Sequence, residues 1–317
     1  MHEKAVPFSL IIDDSGPVNM YSFHNPARNK TRFVPVAFLR RFAEMARDTG
    51  LKGKFSVVPF PGCLGRLDQG LPGYPAAELG AFLDIVRSEL AADWDLTPEM
   101  LTHWMAMNPR TLDILGQREN EWAEMQIAAT LTEYIALALA ILKNVGLAAS
   151  GVTSPWDFGV KVEAAYAEAV EAAMRNVFGA RRSWYFLHLI GERLDLRPTL
   201  MRWDASSGRG VVSVPACAGD CFWDACDCPS VDEARRRTKD AVERLIGHDG
   251  AGGRLAALAE AGQPIVLVTH WQSLFSDGSG AGLDILAEVI GKLNDAYAGR
   301  MRWVKTSEVA FPVFPCP

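Results

Sequence analysis

Nothing in this chain of 317 residues supplies a basic surplus, a long apolar run or a regularly spaced set of cysteines. Its 32 Lys and Arg stand against 38 Asp and Glu, a net charge of −6. Nucleic acids and anionic membrane surfaces select for basic patches, so neither is expected as a partner. The longest uninterrupted apolar run, 134–142, falls far short of the ~18–20 residues needed to span a bilayer. The opening Met-His-Glu-Lys-Ala-Val-Pro leaves no room for a basic segment, an apolar core and a cleavage site before the first strand. No secretory leader is therefore expected, and the expected location is cytoplasmic. Of 6 cysteines, four form Cys217-x3-Cys221-x4-Cys226-x-Cys228. That spacing fits neither paired Cys-x-x-Cys knuckles nor a zinc ribbon, so a loop of free thiols is expected there, not a catalytic metal centre. Cys63 and Cys316 stand alone.

What the chain does contain is an ordinary soluble composition, 49% apolar and 22% charged, with strand-like and helix-like segments in alternation. Strands are expected at 8–12, 54–59, 100–103, 148–153, 183–188, 210–214, 264–269 and 301–305. Helices are expected at 35–49, 76–90, 119–145, 162–178, 231–246, 255–261 and 283–297. Alternation at such intervals argues for a parallel sheet, and this number of units favours closure. The expected fold is α/β: a single distorted (β/α)7–8 barrel with parallel strands, one domain over 1–317.

The first strand, Phe8-Ser-Leu-Ile-Ile12, runs into Asp13-Asp14 and a Ser-Gly-Pro breaker. Two carboxylates at a buried strand end need a cation, a shared proton or strong donors. His103 and His270 also close strand-like segments, and polar residues gathered from several strand ends are what a barrel active site requires. Asp13 and Asp14 at one strand end, with His103 at another, would give an oxygen/nitrogen site for a divalent cation. Met107 holds the place one turn beyond His103, which leaves His24 or Asn108 as the third contact. His270 reads as a general acid, because imidazole titrates near neutral pH. Trp104, Trp156, Trp223 and Trp271 each follow an expected strand end; they suit the apolar faces of sugar rings, with core filling as the alternative.

In order along the chain, Ile11-Ile-Asp13-Asp14, Lys54-Phe-Ser-Val-Val58, Leu101-Thr-His103, Ser154-Pro-Trp156 and Val266-Leu-Val-Thr-His270 resemble the motifs of the polysaccharide-deacetylase superfamily. The resemblance spans most of the chain and implies a distorted (β/α)7-type barrel. It implies Asp13 as catalytic base, Asp14 and His103 as metal ligands and His270 as acid, with the Pro155–Trp156 turn against the substrate. The implied cofactor is a divalent metal ion, zinc foremost, with nickel, cobalt or manganese as the others, and the implied substrate is a carbohydrate or acylated small molecule. Two positions depart from the pattern. Met107 replaces the second metal histidine, and Thr153 replaces an arginine that pairs with the base. Two further functions are compatible with the residues: a glycoside hydrolase pairing Asp13 or Asp14 with Asp157, Asp220 or Asp277, and a barrel that binds sugar without turnover.

Overall fold

An apolar run buried on both faces belongs in the middle of a parallel sheet, and β1 (Val6–Asp13) is there. The computed structural model describes residues 5–28, 31–187 and 193–315, so His188 and Cys316 lie outside the described residues. After β1 come β2 (Gly53–Val57) and β3 (Trp94–Pro98), then a hairpin of β4 (Met105–Met107) and β5 (Ile114–Arg118). The chain continues through β6 (Val152–Thr153), β7 (Arg182–Phe186), β8 (Thr199–Asp204), β9 (Arg209–Ser213), β10 (Ile265–His270) and β11 (Met301–Trp303).

One parallel sheet has the order β10-β1-β2-β3, with β11 also paired to β1. A second has the order β6-β7-β9-β8, parallel except for β8 at its edge. Parallel bridges Leu96↔Ala149 and Glu99↔Thr153 stitch β3 to β6. On the far side Cys217 N–H donates to Val266 O at 2.9 Å, linking the segment after β9 to β10. Seven parallel strands are thus joined edge to edge, and Ile11, Trp184, Phe186, Val212, Val266 and Val268, from β1, β7, β9 and β10, share one apolar cluster. Helices such as Val36–Thr49, Glu163–Phe178 and Ala281–Ala296 occupy the crossovers. No helix among the described residues is long and apolar enough to cross a membrane.

Three expectations need correcting. The third strand is 94–98, and 99–104 is a loop. Pro98 would normally argue against a strand, but β3 is bonded on its second side only through the two bridges, so the missing N–H costs little. The helix expected at 119–145 is two, Glu119–Ala123 and Ala128–Asn144. The apolar face does not continue between them, for Met125 and Ile127 are exposed. Finally, Trp271 is no sugar platform. Only 1% exposed, it packs against Phe38, Phe42 and Phe55 and donates its indole N–H to Gly16 O at 3.1 Å.

Candidate functional site

Strand alternation decides which way the first carboxylates point. Asp13 keeps the register of β1 and forms an ion pair with Lys54 of β2, both side chains fully buried. Lys54 therefore brings from β2 the cation that the deacetylase resemblance places at position 153. Thr153 is bonded through its hydroxyl to Thr97 at 2.8 Å.

Asp14 leaves the strand with φ = 60°, in the left-handed region that non-glycine residues seldom enter. Its N–H donates to the Glu99 carboxylate, which also accepts from Ser56 Oγ at 2.5 Å. Gln272 Nε2 donates to Asp14 Oδ2. The other oxygens of the two acids, Asp14 Oδ1 and Glu99 Oε1, are buried and accept no hydrogen bond. They lie 2.7 Å and 3.4 Å from His103 Nε2.

Among the described residues this is the one group of three metal-ligating side chains, with donor atoms all within 4.8 Å of one another. Two buried carboxylate oxygens whose one polar neighbour is an imidazole nitrogen fit a divalent cation of borderline or hard character. Burial works against the charge on Asp14, yet the neighbouring His103 outweighs it and holds the carboxyl well below its ordinary range. Burial likewise opposes charge on His103, and Asp14 and Glu99 overcome it, pushing the imidazole well above its usual value.

His103 lies in a loop with Met100 and His103 at φ = 35° and 51°. A second buried acid, Glu119, holds that loop. It accepts the N–H groups of Leu101, Thr102 and His103 at 3.0, 2.7 and 2.7 Å, and the Tyr134 hydroxyl at 2.7 Å. Desolvation raises its pKa, against the pull of those donors.

His24 meets the other side of His103, Nε2 to Nδ1 at 3.4 Å. Burial, helped by His103 and Arg118, pushes His24 down to about 3. The neutral ring can accept a hydrogen bond from His103 Nδ1–H, which directs His103 Nε2 toward the carboxylates. His24 is thus a partner of His103 and stands outside the cluster, contrary to expectation. Asn108 is further away in function: its Oδ1 caps the β4–β5 turn, accepting from Arg110 N at 2.9 Å and Thr111 N at 3.3 Å. The third donor is Glu99, the residue just before the strand expected at 100–103.

His270 ends β10 directly opposite Asp13 in the register. Its Nδ1 and N–H both meet Asp220 Oδ2, at 2.9 and 3.1 Å. Thr269 and Ser273 hydroxyls and the Phe222 N–H complete the set of donors to Asp220. Burial lowers the imidazole, but Asp220, with the charges of Asp14 and Asp13, prevails and raises it to about 9.

A cavity of about 450 Å³ opens over these groups, lined by Asp14, His24, His103, Trp156, Trp223 and His270 among others. Such a volume suits a small ligand. Trp223, 42% exposed, meets His270 edge-on at 4.9 Å, and Trp156 lies 4.5 Å from the His103 ring. Trp104 stands behind, half-buried against His24 at 4.9 Å. Pro155 is buried, its carbonyl accepting from Phe158 N at 3.0 Å. The four cysteines of the 217–228 loop are buried free thiols. Burial raises all four, most weakly opposed at Cys221 and Cys226, where nearby acids add to it.

No family model matches the chain and no curated protein does. Solved structures of similar fold do exist. A CE4 family pseudoenzyme from Bacillus anthracis matches at 10% identity with a TM-score of 0.43, over 97% of this chain and 66% of that one. A mutant of a CE4 family pseudoenzyme with restored enzymatic activity matches at 10% identity and 0.43, over 97% and 68%. A GH57-type branching enzyme from Pyrococcus horikoshii matches at 11% and 0.48, over 99% and 71%. The chain is similar to CE4 and GH57 structures at a distant level, and the roles of its residues rest on its own geometry.

Proposed function

We propose that this chain is a divalent-cation-dependent hydrolase that removes an N- or O-acyl group from a carbohydrate. The observation that carries it is the buried Asp14–Glu99–His103 cluster at a cavity that the Asp220-held His270 also lines. A cation bound by those three side chains would polarise the acyl carbonyl and make a water more acidic. The base for that water would be Asp13, held by Lys54 behind the cavity wall and opposite His270 in the register, so the water has to reach it past Asp14. As the water oxygen bonds to the acyl carbon and the C–N or C–O bond breaks, His270 gives its proton to the departing amine or alkoxide. Trp156 and Trp223 offer ring faces to the sugar, and the backbone at the Pro155–Trp156 turn is the place for an oxyanion donor.

A two-carboxylate glycosidase is less well served. Asp14 is the one carboxylate lining the cavity. Asp157 bonds to Asn120, Asp220 to His270, and Asp277 to the Thr31 backbone. The test is acetate release from N-acetylglucosamine oligomers and acetylated xylan. Chelator should abolish it and zinc restore it, and Asp13→Asn should lower it about 100-fold or more. Sugar binding without acetate release would instead indicate a binding barrel, and reducing ends released in the presence of chelator would indicate a glycosidase.

A further inference from the structure

Several exposed arginines pair with acids, among them Arg110 with Glu133, Arg202 with Glu168 and Arg235 with Glu288. Arg118, at the end of β5, does not. Its guanidinium has no ion pair among the described residues, although it lines the same cavity as the cluster. It lies instead over two indoles, 5.4 Å from the centre of Trp104 and 5.7 Å from that of Trp156. Cation–π contact with two rings restrains a guanidinium and leaves its N–H edges free for a ligand.

The backbone beneath it is also fixed. Arg118 N–H donates to Glu121 at 3.2 Å, Glu119 N–H donates to Trp104 O at 3.0 Å, and the Glu119 side chain is the clamp already described. The arginine is therefore anchored at both ends, unlike a side chain ranging over the surface. The cavity offers it no carboxylate of its own, since Asp14, its single acidic lining residue, is engaged by His103 and Gln272.

We propose that Arg118 is an oxyanion subsite, so that the carbohydrate acted on carries a carboxylate or phosphate. The guanidinium fork matches either group with two parallel hydrogen bonds. Trp156 touches both Arg118 and His103, so the anionic group binds one indole's width from the cluster, on the sugar whose acyl group is removed or on its neighbour. This inference rests on the carbohydrate reading above and narrows its substrate class to acidic sugars.

Titration calorimetry on the full chain tests it with three probes: neutral diacetylchitobiose, a disaccharide of glucuronate and N-acetylglucosamine, and N-acetylglucosamine 6-phosphate. The parent should bind one or both anionic sugars about tenfold or more tightly than the neutral one, as a charge-assisted pair implies. Which of the two binds identifies the oxyanion. In Arg118→Gln the preference should fall to within about twofold, and Arg118→Lys should keep part of it. Salt should erode the preference in the parent and not in Arg118→Gln. Equal binding of neutral and anionic sugars in the parent, or a preference that survives Arg118→Gln, would overturn the subsite while leaving the carbohydrate reading intact. Binding of none of the three would overturn both.

Discussion

At the scale of single residues, the site works by giving each buried charge a specific partner. Asp13 has Lys54, Asp14 has His103, and His270 has Asp220. The last pair is the most open to measurement. Without Asp220, burial would hold the imidazole below its ordinary value; with it, and with Asp14 and Asp13 nearby, His270 is raised to about 9. A histidine raised in the folded state stabilises it fully below the unfolded pKa of about 6.5, and that contribution fades as pH climbs through about 9. The effect is on the order of 3 kcal/mol. NMR titration should place the His270 ring near 9 and that of Asp220→Asn below 7. Denaturant melts should show the parent losing stability between pH 6.5 and 9 and the variant losing much less. A ring that titrates near 6.5 in the parent would break the pairing argument.

At the scale of elements, the loop after β3 carries a local backbone cost. Met100 and His103 are both left-handed, at about 1 kcal/mol or more each for residues with a Cβ. Glu119 offsets this with hydrogen bonds to three consecutive N–H groups. Glu119→Gln puts an amide NH2 against those donors. We expect it to destabilise the fold by about 1–3 kcal/mol and to weaken cation binding at the cluster about tenfold. Chemical denaturation and cation titration check the two effects separately, and unchanged cation affinity would show that the loop does not depend on the clamp. The same loop marks where sequence reading stopped working. β1 and β10 were legible from uninterrupted apolar runs, but Pro98 hid the end of β3 and moved the expected strand by several residues. The β4–β5 hairpin was not legible at all, since every residue of β5 is exposed and no alternation survives to be read.

Across the whole molecule, the order of strand ends along the chain made half the site readable. Asp14, His103 and His270 stood out because polar residues closed apolar segments, and the strand path brings all three to one cavity. The two glutamates and the lysine were hidden for physical reasons. Glu99 follows a proline and lies outside any pattern, Glu119 looks like any acid in a helical first turn, and Lys54 looks like the solvent-facing start of a strand. Only the three-dimensional path shows Glu99 under Asp14 and His103. The central claim is that these three side chains together hold a divalent cation, and calorimetric titration of chelator-treated protein with zinc, nickel, cobalt and manganese tests it most directly. The account predicts one cation per chain in the parent and in Asn108→Ala, and a loss of at least about 100-fold in affinity in Glu99→Gln and in Asp14→Asn. Equal affinity in the parent and Glu99→Gln would contradict it.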